Sequence, residues 1–180
     1  MEGLLRVLQR KTPEGLRRDV LEYIDQSRSE LVVRLAEAPR TQVAGWARAT
    51  AFQDGEPDTR ASALRLLALL GTREDAKAWG ARLDVEVLST SLTVAALDVI
   101  ARLGSPEQSV LLERMLSRLE PEVVVAALVA MADQAEPERL LQLLREPPAT
   151  VQDASGRPRV SLYLKTWSGE LARGIVRRGN

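Results

Sequence analysis

Two of the residue types best suited to covalent and near-neutral acid–base chemistry are missing from this 180-residue chain. There is no cysteine and no histidine, so thiol nucleophiles, disulfides, zinc sites built on those ligands and imidazole catalysis are excluded. Carboxylates placed close together could serve as acid and base, and Glu74-Asp75 and Glu136/Glu138 are the pairs on offer. Both fall at turns or in a first helical turn, where an acid simply offsets the helix dipole. A lysine becomes nucleophilic when apolar surroundings depress its pKa, but Lys11, Lys77 and Lys165 lie in no apolar run and read as solvated. Gly3, Gly15, Gly45, Gly55 and Gly80 are scattered and build no phosphate-cradling loop. The expectation is a non-enzyme with no catalytic, cofactor-binding or metal-binding residues.

Arginine is the remaining chemistry. Arg6, Arg10, Lys11, Arg17 and Arg18 cluster near the start and Arg173, Arg177 and Arg178 near the end, a pattern that could grip phosphates. Asp19, Glu22 and Asp25 dilute the first cluster, and 25 basic residues balance 25 acidic ones, so no global pull toward nucleic acid exists. The balance is uneven along the chain. Residues 91–146 hold nine acids against five arginines, whereas 147–180 hold six bases against two acids. Either the basic tail folds back on the acidic body or it makes a separate anionic contact.

These side chains must be positioned by helices. Leu, Ala, Val and Arg dominate and aromatics are 3%, which favours an all-α fold. Three segments align without gaps, beginning at Asp58, Ser91 and Glu122. Within them Ala63-Leu64, Ala96-Leu97 and Ala127-Leu128 recur at offsets of 33 and 31, each followed by an apolar residue at Leu67, Ile100 or Met131. That spacing predicts helices buried on one face. Gly71 and Gly104 stand where a helix end suits a left-handed residue. Ser105-Pro106, Glu120-Pro121 and Glu136-Pro137 mark helix starts. Helices are expected at 2–11, 13–26, 28–37, 40–52, 58–70, 73–83, 88–103, 106–119, 121–135 and 137–145, sequence neighbours packing antiparallel.

The domain reading follows: helical repeats over 1–146, most regular over 58–146, then a tail over 147–180 that packs on them or extends from them. Glu146-Pro-Pro148 ends the helices, and 149–164 reads as a β-hairpin around Ser155-Gly156 or as a flexible linker. Ser168 could cap a final short helix. Met1–Lys11 lacks the apolar stretch of a signal peptide, and the longest apolar run, Val123 to Ala132, is too short for a membrane span. With cysteine absent, a cytoplasmic location is expected.

The three segments resemble the short bacterial HEAT repeats, the version also found in phycobilisome lyases. That pattern has an Asp/Pro turn, a Val-Arg-like pair, a small residue three after the Arg, an aliphatic four further on, then Leu-Gly. Asp58, Arg60, Ala63, Leu67, Leu70 and Gly71 match it; the second segment carries Thr93 in place of the Arg, and the third Val124, with Ala135 for the Gly. Tetratricopeptide repeats share the period, but their aromatic and small-residue positions are not met. The resemblance implies an α-solenoid of about five helix pairs with an extended binding surface. It also implies that the second helix of each pair lines a concave side, which by register would present Arg65, Asp98, Arg102 and Asp133 to another protein. Among similar proteins are DNA glycosylases that use Trp and Asp on a basic face, and bilin lyases. Trp46 and Trp79 stand at core-like positions here, so the implied role is a scaffold or adaptor, with nucleic-acid binding as the alternative.

Overall fold

The computed structural model describes residues 37–53, 55–135 and 137–145. The expected helices at 2–11 and 13–26, nearly all of 28–37, the 149–164 hairpin or linker, the final helix and the whole 147–180 tail lie outside the described residues. Among the described residues the chain is all-helical, without a strand: α1 (Glu37–Phe52), α2 (Pro57–Leu70), α3 (Arg73–Val85), α4 (Thr90–Leu103), a 3-10 turn (Pro106–Gln108), α5 (Ser109–Met115), α6 (Pro121–Gln134) and α7 (Pro137–Arg145).

Proline sets three of the seven described helix starts. Pro57, Pro121 and Pro137 each open a helix, where an N–H would have had no intrahelical partner. Pro39 is accommodated in the first turn of α1 for the same reason, so that helix begins three residues before the expected Arg40. Helix α4 starts at Thr90 instead of 88 because Ser89 takes the capping position, its hydroxyl accepting from the Leu92 N–H at 3.4 Å. The helix expected over 106–119 is two shorter pieces. Its last turn tightens, with the Leu116 N–H shared between the Leu112 and Glu113 carbonyls, and the chain then bends where Arg118 pairs with Glu120 at 3.1 and 2.8 Å.

Helices α2, α4 and α6 pack side by side as one layer, and α1, α3 and α5 each pack against one of them. The sequence neighbours α1–α2, α3–α4 and α5–α6 pack on one another across loops of four or five residues, while the two-residue links at Gly71-Thr72 and Gly104-Ser105 turn the chain toward the next pair. The matched positions form the core. Leu64, Leu97 and Leu128 are inaccessible, as are Leu67, Ile100 and Met131, and Ala63, Ala96 and Ala127 keep the helices of this layer close. A hydrogen bond from the Ser91 hydroxyl to Asp58 Oδ1 at 3.3 Å joins equivalent positions 33 residues apart, so α2 and α4 lie in register.

Gly71 and Gly104 require a correction. Their φ values are −77° and −69°, ordinary extended backbone instead of the left-handed conformation expected. Space explains them. A Cβ on Gly71 would sit 2.5 Å from the Leu67 carbonyl and 3.0 Å from Asp75 Oδ2; on Gly104 it would collide with the Ile100 carbonyl and the Gln108 amide. Gly71→Ala is therefore expected to cost about 1–2 kcal/mol, as overpacking does. Gly45→Ala, on the exposed side of α1 with nothing within 4 Å, should gain about 0.5–1 kcal/mol. Urea unfolding of the two variants tests the contrast.

Candidate interaction surface

The residues expected to meet a partner all stand on the α2/α4/α6 layer: Arg65 on α2, Asp98 and Arg102 on α4, Asp133 on α6. Asp98 and Arg102 meet, one turn apart, with Arg102 Nε donating to Asp98 Oδ1 at 3.0 Å. Arg65 and Asp133 are half-buried, one helix away on either side. The repeat offsets of 33 and 31 make Arg65 equivalent to Asp98, and Arg102 equivalent to Asp133. Sign thus alternates along α4 and reverses from Arg65 to Asp98 and from Arg102 to Asp133, while the third position of each row is apolar, Val129 on α6 and Leu69 on α2. Four charges sum to zero, and the arrangement disfavours a uniform polyanion.

Other groups with chemical potential are committed to holding the helices together. After each Gly71-type position, the fourth residue reaches back to the previous pair. Asp75 accepts two hydrogen bonds from Arg48 of α1, at 2.5 and 2.7 Å, while also accepting from the Thr72 N–H at 2.9 Å and the Thr72 hydroxyl at 3.1 Å. Gln108, its equivalent, donates to the Ala76 carbonyl of α3 at 2.9 Å and accepts from the Ser105 N–H at 3.3 Å. Arg139, the third equivalent, donates to both carboxylate oxygens of Glu113 on α5 at 2.8 Å. Arg114 of α5 also pairs with Asp84 of α3. In the other layer, Gln134 Nε2 donates to the Ala101 carbonyl at 2.8 Å.

The carboxylates singled out above resolve accordingly. Glu74 is exposed in the first turn of α3, Glu138 is exposed in the first turn of α7, and Glu136 lies outside the described residues. Asp75 is 4% exposed. Burial pushes its carboxyl up, but hydrogen bonds from Arg48 and Thr72, with the Arg48 charge, outweigh that and hold it below its ordinary value. This is a fastening carboxylate, with its lone pairs engaged. Lys77 is exposed, while Lys11 and Lys165 lie outside the described residues.

The tryptophans are structural too. Trp79 is inaccessible, and Trp46 packs half-buried against the core. Phe52 lies 5.1 Å from Trp79, and the guanidiniums of Arg60 and Arg82 stand 5.9 and 5.3 Å from the Trp79 ring centre, Arg82 also 5.4 Å from Phe52. Arg60 Nε donates to the Ala51 carbonyl at 3.1 Å, tying α2 to the end of α1, and Arg82 Nε donates to Glu86 at 2.8 Å. Trp79 Nε1 is buried with no acceptor among the described residues.

The residues that reach back were the part missed from sequence. Thr72-x-x-Asp75 and Ser105-x-x-Gln108 carry a recognisable capping-box spacing, each straight after a glycine. Nothing in the sequence near Arg48 points to Asp75, 27 positions away. Among the described residues, no group of three or more acidic side chains gathers as a metal site, and no helix is long and apolar enough to cross a membrane. Compared with known proteins, the chain matches no family model, no curated protein and no solved structure.

Proposed function

We propose that the chain is a HEAT-like α-solenoid acting as a non-catalytic scaffold or adaptor, which binds another protein through the face carrying Arg65, Asp98, Arg102 and Asp133. The observation that carries this reading is the reversal of sign between neighbouring helices, from Arg65 to Asp98 and from Arg102 to Asp133. A protein surface offers both signs at such spacing, whereas a nucleic-acid backbone offers one. Arg48, Arg82, Arg102, Arg114, Arg118 and Arg139 are each paired with a carboxylate, which further weakens the nucleic-acid alternative. The repeat alignment and the Ser91–Asp58 register support the solenoid.

The test compares the wild type with an Asp98→Arg/Asp133→Arg variant in affinity purification read by quantitative mass spectrometry, circular dichroism confirming equal helicity. A defined protein retained by the wild type should fall about tenfold or more in the variant, the loss of roughly 1.4 kcal/mol. Equal retention would reject this face. Filter binding of duplex DNA and of RNA runs in parallel, and retention that weakens steeply with salt would favour nucleic acid instead.

A further inference from the structure

We draw no further inference here: the strongest candidate, the exposed apolar side chains of Val85 at the end of α3, Val87 in the loop after it and Leu119 in the loop before α6, carries nothing because nothing in the structure shows what covers them.

Discussion

Trp79→Ala should lower the melting temperature by roughly 10 °C, more than any other single truncation of the core. Trp79 is among the largest fully buried side chains described, and three elements close on it: Phe52 from α1, Arg60 from α2 and Arg82 from its own helix. Emptying such a site costs about 3–5 kcal/mol, because lost burial and an uncollapsed cavity add together. That is a large part of the roughly 5–15 kcal/mol that holds a domain folded. At about 2–4 °C per kcal/mol for a chain of this size, the shift follows. Trp79→Phe separates the contributions. It keeps a ring under both guanidiniums and removes an indole N–H that finds no acceptor among the described residues, so it should cost less than half as much. Thermal unfolding followed by circular dichroism reads both, and equal losses would show that ring contact contributes little.

The second large effect belongs to Asp75. Asp75→Asn retains an acceptor for the Thr72 N–H but loses the charge that Arg48 engages through two hydrogen bonds. Breaking a fully buried pair costs about 3–5 kcal/mol. The Arg48 side chain is 43% exposed, so water screens part of the interaction, and about 2 kcal/mol is expected. Arg48→Met should cost at least as much, since it strands a buried carboxylate, and the double variant should cost less than the sum. The pH dependence has a definite sign. The folded-state pKa of Asp75 is lowered, so its contribution is present above the unfolded value of about 4 and fades as pH falls through the folded value. The stability gap between wild type and Asp75→Asn should therefore be full at neutral pH and close on acidification below pH ~4. A gap that persists undiminished at about pH 2 would mean that the substitution disturbs packing and not charge.

The core was legible because burial and helical period leave the same mark on a sequence. Ala63, Ala96 and Ala127, each followed by Leu, gave the layer and its register, since a buried seam admits few side-chain types. Gly71 and Gly104 were found for the wrong reason: composition marks a glycine but does not distinguish a need for unusual φ from a need for room. The early end of the helix expected over 106–119 was invisible because Leu111, Leu112, Met115 and Leu116 continue an apolar pattern through the turn where α5 stops. Register alone put Arg65, Asp98, Arg102 and Asp133 on helices of one layer, yet the pairing of Asp98 with Arg102 depends on both choosing matching rotamers. The substitution of Thr93 for the expected arginine also has a local reason. Arg60 has the Trp79 ring to lie against, whereas the position 33 residues later holds Leu112, which offers no aromatic face.

Gln108 and Gln134 donate to main-chain carbonyls, and a carbonyl is supplied by every amino acid. At these two joints, unlike those of Arg48 with Asp75 and of Arg139 with Glu113, the fastener consequently asks for a particular side chain on one partner only. Ala76 and Ala101 could each become another small residue without removing the acceptor. Such one-sided joints tolerate divergence between units, and an added unit of the same length would meet a socket already in place.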